Sequence, residues 1–166
     1  MIQRQVFRLI ILTAIFIGAV LVATLPNPNG LPNEASGSAY AAEAPSTVPM
    51  AVERLDPGLD MILPAKPALQ KVATGPGFKW TEGPVWIPAG YLLFAEIPSN
   101  SIRKWTPGDG VSVFLQPSGY KGSVPFTGPE PGSNGMTLDP RGRLTVAGHA
   151  QRDVWRLERM DPKAQV

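Results

Sequence analysis

At 166 residues the chain has room for one domain and not for two. Charged residues make up only 17%, and 17 Gly stand beside 19 Pro, a composition that suits short strands joined by turns and disfavours a helical bundle. The net charge is +2 without a Lys or Arg cluster that could follow a phosphate backbone, which excludes nucleic acid as a partner, and the lack of Cys excludes a disulfide framework and a thiolate nucleophile.

In chain order, Arg4 and Arg8 precede an uncharged run from Leu9 to Leu25, the basic-then-apolar order of an export signal. The run falls short of the roughly 20 residues of a comfortable membrane-spanning helix. A small-x-small cleavage site occurs at Ala39-Tyr40-Ala41. Residues 1–41 are thus expected to be a removed signal peptide or a retained apolar helix acting as a membrane anchor. The rest is exported in either case, to the periplasm or the extracellular space. Residues 42–73 read as a Pro-rich linker followed by a lead-in strand or turn.

From residue 74 onward the chain repeats itself. Setting Glu82 over Asn134 without a gap brings Gly83 onto Gly135, Pro88 onto Pro140, Gly90 onto Gly142 and Leu92 onto Leu144. The register continues through Ile102 on Val154 and Lys104 on Arg156. The first copy, about 82–116, predicts strands at Pro84–Ile87, Tyr91–Glu96, Ser101–Trp105 and Val111–Leu115. The second, about 134–166, predicts strands at Gly135–Leu138, Arg143–Gly148 and Arg152–Glu158. Four short strands per repeat of this length are the unit of a β-propeller blade. The expected fold is therefore all-β: an incomplete β-propeller of about two blades. Truncation of a longer sequence is the favoured account, ahead of other chains completing the ring.

An antiparallel meander puts the start of its first strand beside the end of its second. Glu82, Asn134, Glu96, Ile97, Gly148 and His149 should then gather at one end of the blades. The Gly- and Pro-rich loop from Gln116 to Ser133 enters at that end, as a lid would. A carboxylate and an amide oxygen directed at one axis are hard donors suited to Ca²⁺, Mg²⁺ or Mn²⁺, and with some compromise to Zn²⁺.

The stretches Glu82-Gly-Pro-Val-Trp86, Leu92 to Trp105, Pro117-Ser-Gly-Tyr-Lys-Gly122 and Pro131 to Leu144, followed by Gly148-His149, resemble the senescence marker protein and gluconolactonase family of six-bladed propellers. The resemblance covers about 77–158, or roughly the first third of a family member. It implies hydrolysis of a small sugar lactone, assisted by a divalent cation, most simply Ca²⁺. It also implies Glu82 as a metal ligand, with Asn134 and His149 facing substrate. Glu96 stands where the family usually has Asp. The later Asn and Asp that complete the metal site and supply the base have no counterpart before Val166, so the catalytic residues stay unassigned and the protein is expected to have little activity of its own. The rival is a non-catalytic propeller fragment or binding module.

Simpler roles compete for each residue. Glu82 could be a solvated carboxylate beside a turn, Asn134 a turn residue next to Gly135, and His149 an exposed ring after a strand. Asp139-Pro-Arg-Gly-Arg143 reads as hairpin chemistry. Trp80, Trp86, Trp105 and Trp155 are expected in the core or between blades, with a platform for a sugar ring as the alternative.

Overall fold

A computed structural model describes residues 19–23, 46–75 and 77–161. Within them the protein is built from strands, and its one short helix is a 3₁₀ turn at Pro57–Met61. Asp56 caps this turn by accepting a hydrogen bond from the Gly58 N–H at 2.6 Å. Most of the apolar leader lies outside the described residues. Its Ala19–Ala23 portion is a strand, β1, and no described helix is long and apolar enough to cross a membrane.

Strands β2 (Ser46–Val48) and β3 (Leu69–Thr74) join β1 in a three-stranded antiparallel sheet with β3 in the middle. The first repeat forms a four-stranded antiparallel meander of β4 (Thr81–Ile87), β5 (Tyr91–Glu96), β6 (Ser101–Thr106) and β7 (Gly110–Leu115), in that spatial order. The second repeat forms β8 (Ser133–Leu138), β9 (Leu144–Gly148) and β10 (Asp153–Arg156), again in sequential order. These are the two up-and-down sheets expected of successive blades, with strand bounds within a few residues of those read from the repeat.

Burial explains why β5 is apolar along nearly its whole length. Leu92, Leu93, Phe94 and Ala95 are all at 0% exposure, as a strand covered on both faces must be. Alternation then sorts its side chains. Leu92 and Phe94 join Trp105 and Val111 on one face, which Val72 and Ala73 of β3 and Phe78 cover. Phe78 and Phe94 meet with ring centroids 5.9 Å apart. Leu93 turns the other way and packs with Ile87, Ile102 and Leu115 against Leu144, Val146 and Leu157 of the second sheet. The first sheet is thus the middle layer, held by a core on each side. At about 1.5–3 kcal/mol for each large apolar side chain buried, these two cores are the main attractive contribution holding the layers together.

The hairpin between β8 and β9 follows from local chemistry. Asp139 Oδ1 accepts from the backbone N–H groups of Arg141 and Arg143, each at 2.9 Å. Its Oδ2 accepts from Arg143 Nε at 2.7 Å. Arg143 also reaches Glu158 Oε2 at 2.8 Å, tying the turn to the segment after β10. The turn reading of this motif matches what it does here.

Candidate functional site

Strand register decides which residues share an end. Thr81 pairs with Glu96 and Glu82 with Ala95 in the first sheet, while Ser133 pairs with Gly148 in the second. The start of β4, the end of β5, the start of β8 and the end of β9 therefore lie together. The two sheets touch at this end through glycine. Gly83 has φ +54°, and a β-carbon there would fall 2.2 Å from the Asn134 carbonyl oxygen and 2.9 Å from the Gly135 Cα. Only a residue without a side chain permits that approach. Both pairings slip at this place, between Glu82 and Val85 and between Ser133 and Met136, so the strands bend where they meet.

Glu82 is half-buried and accepts a hydrogen bond from Trp80 Nε1 at 3.1 Å. The two side chains meet because residues two apart on an extended segment share a face. Trp80 itself is 40% exposed, unlike the buried Trp105 or the packed Trp86 and Trp155. The expectation that all four tryptophans pack in cores holds for three. Trp80 departs from it because its indole N–H has a carboxylate partner at the surface and its backbone is fixed from below.

That fixing comes from Glu96, at 0% exposure. Its carboxylate accepts from the Lys79 N–H at 3.1 and 3.2 Å and from the Trp80 N–H at 3.3 and 3.4 Å. Burial raises the Glu96 pKa above its ordinary range. The two backbone N–H groups and the Arg103 charge oppose that shift without cancelling it. Ile97 N–H adds a bond to the Trp80 carbonyl at 3.1 Å. The second sheet solves the same position differently. Residues 131 and 132 stand where Lys79 and Trp80 stand; Pro131 has no N–H, and the Gly132 N–H goes to the Ile97 carbonyl at 3.1 Å. No carboxylate is needed there, and Gly148 replaces Glu96. A β-carbon on Gly148 would lie 2.0 Å from Asp153 Oδ1, so the Asp153 carboxylate takes the space a side chain there would need.

Asn134 lies inside β8, not in a turn. His149 follows β9 and faces Glu130 of the long loop. Its Nε2 is 3.0 Å from Glu130 Oε2, and its Nδ1 is 3.5 Å from the Glu130 carbonyl oxygen. The loop is anchored at its neck. The Asn100 side chain accepts from the N–H groups of Ser118 and Gly119 at 3.1 and 2.7 Å and donates to the Tyr120 carbonyl at 2.7 Å. The Tyr120 N–H reaches the Pro131 carbonyl at 2.7 Å, and Tyr120 and Phe126 fill the loop with ring centroids 5.1 Å apart.

Glu82 and Asn134 are thus brought to one end of two adjoining sheets, with His149 beside the loop that connects them. Glu82 and Asn134 are oxygen donors of the kind a hard cation takes, yet they are two where such an ion takes about six or more. Among the described residues no group of three or more His, Cys, Asp or Glu could hold a metal ion. The donors fit in kind, and further ligands would have to come from elsewhere. Sequence reasoning did not find the roles of Trp80, Asn100 and Glu130. The Trp80-Thr81-Glu82 spacing carried a usable signal for the first, whereas the other two depend on contacts distant in sequence.

No family model matches the chain. It is 40% identical over 111 residues to a gluconolactonase of Zymomonas mobilis subsp. mobilis, a match covering 64% of this chain and 30% of that protein. A solved X-ray structure named as a candidate gluconolactonase is 28% identical, with a TM-score of 0.42, over 54% of this chain and 26% of that one. The 40% identity agrees with the resemblance to the gluconolactonase family read from the motifs, over part of the chain. The chain spans less than a third of the length of the curated relative it matches.

Proposed function

We propose that this protein is part of an exported, metal-dependent lactone hydrolase acting on a small sugar lactone. The observation that carries the reading is the 40% identity to a gluconolactonase over 111 residues. The meeting of β4 and β8 at Gly83 and Asn134 supports it, because it brings the two candidate oxygen donors to one end of the fold.

In this reading Glu82 contributes to holding a divalent cation, Ca²⁺ first and Zn²⁺, Mg²⁺ or Mn²⁺ as alternatives. Held there, such an ion would supply Lewis acidity toward a lactone carbonyl and a water molecule. The protein's own residues act in other ways. Trp80 orients Glu82 through its indole N–H, and Glu96 fixes the backbone that carries Trp80. Asn134 faces the substrate. His149 does so from beside the loop, where Glu130 steadies its ring. In this reading the loop from Gln116 to Ser133 acts as a lid that would limit access of water. The general base is not among the residues named.

The test is hydrolysis of glucono-1,5-lactone above its spontaneous rate, by the intact protein with added Ca²⁺ or Zn²⁺ and with chelator. Cation-dependent turnover that Glu82→Gln abolishes supports the proposal. Turnover insensitive to chelator and to that substitution overturns the role of Glu82 and the cation. The shortage of cation ligands among the described residues favours a second reading, a non-catalytic propeller module. Lactone binding without turnover under every cation would select it.

A further inference from the structure

Resting on the lactone reading above, we propose that Trp80 forms an aromatic wall of the ligand site beside Glu82, stacking its indole on the C–H face of a closed sugar ring. Trp80 is an exposed side chain that the fold holds unusually firmly. Trp105 is 5% exposed, and Trp86 and Trp155 pack against the two cores, so their apolar surface is already used. Trp80 keeps 40% of its surface open to solvent. Yet its N–H is bound by Glu96, its carbonyl accepts from the Ile97 N–H at 3.1 Å, and its indole N–H is bound by Glu82 at 3.1 Å.

A tryptophan exposed merely for want of a partner needs none of these restraints. A pre-organised ring loses little entropy when it takes up a ligand, and an aromatic face with one polar edge suits a molecule with alternating apolar and hydroxyl surface. The hydrogen bond to Glu82 ties the ring to the carboxylate, so both groups meet the same ligand. The chemistry that matches is a neutral six-membered polyhydroxylated ring, whose axial C–H groups present a flat patch. The linear acid formed by hydrolysis has no such fixed face. Trp80 therefore selects the closed ring over the linear form and favours product release.

The experiment compares a stable ring probe, glucono-1,5-lactam, with linear gluconate, each titrated calorimetrically into the intact protein and into Trp80→Leu and Trp80→Phe. Trp80→Leu should weaken lactam binding by about tenfold and leave gluconate within about threefold, while Trp80→Phe should recover most of the lactam affinity. Unchanged lactam binding by Trp80→Leu, or equal loss of both ligands, overturns the proposal while leaving the lactone reading intact. Failure of the unsubstituted protein to bind either ligand overturns both. If Trp80→Leu does not fold, the indole ¹⁵N–¹H signal of Trp80, assigned by its loss in Trp80→Phe, decides the matter. It must move on addition of lactam, and a stationary signal sinks the idea.

Discussion

Gly83 and Asn134 are in backbone contact across the two sheets, so close that a β-carbon on the glycine would sit 2.2 Å from the asparagine carbonyl oxygen. The contact lies next to Glu82 and fixes how far the second sheet stands from the first. Gly83→Ala would meet both a left-handed backbone, φ +54°, and this collision. We expect it to cost at least about 2 kcal/mol, because left-handed strain alone costs about 1 kcal/mol or more and the sheets must then move apart. A shift of the urea midpoint to lower concentration checks this. An alanine variant as stable as the parent would mean that the sheets do not approach here.

Asn100 makes a comparable prediction for the loop. Its φ of 53° is a conformation Asn tolerates and Ala resists, and its side chain makes three hydrogen bonds to the loop backbone. Asn100→Ala should destabilise by about 2–4 kcal/mol, taking about 1 kcal/mol for each lost bond together with the backbone strain. Hydrogen exchange should rise first at Ser118, Gly119 and Tyr120. Uniform exchange across the protein would speak for global destabilisation instead.

Glu96 predicts a dependence of stability on pH. Burial raises its pKa in the folded state above the ordinary 4.5, so the folded protein holds this proton more tightly than the unfolded state. That contribution is complete below pH 4.5 and is lost as pH rises through the raised value. Glu96→Gln should remove this part of the profile, seen by comparing denaturation midpoints of the two proteins from about pH 4 to 8. Parallel curves would show that Glu96 does not titrate in this way.

Asp139 behaves oppositely. The Arg143 backbone N–H is the largest influence holding its pKa below the ordinary 3.8, and the Arg143 side chain and the Arg141 N–H act in the same direction. Its contribution to stability is present above pH 3.8 and is lost as pH falls through the lowered value. A carboxyl ¹³C titration should place its midpoint below that of a free aspartate, and Arg143→Ala should move the midpoint upward. A midpoint indifferent to Arg143 would remove the side chain from the explanation.

How much of the site was legible follows from how far apart its parts lie in the sequence. The apolar runs and turn residues of the repeat gave the strand order, and antiparallel reversal then put Glu82 and Asn134 at one end. The grip of Glu96 on Lys79 and Trp80 is not readable in the same way. Its reason is two backbone N–H groups left over at the edge of β4, a need that Pro131 and Gly132 do not create in the second copy. Aligned positions therefore carry different side chains for a structural reason. The pairing of His149 with Glu130 is similarly hidden, since it requires knowing where the loop exits.

Local pattern by itself determined that this protein is an assembly of short antiparallel strands, repeated, with turns made by residues such as Asp139 and Gly142. Those choices depend on side-chain alternation and backbone preference within a few neighbours. Tertiary structure alone decided that Trp80 stands exposed yet tethered, that Gly83 must lack a side chain, and that the first sheet is covered by β3 on one face and the second sheet on the other. Each of these arises from close packing and hydrogen-bond satisfaction between segments remote in sequence, which no local rule encodes.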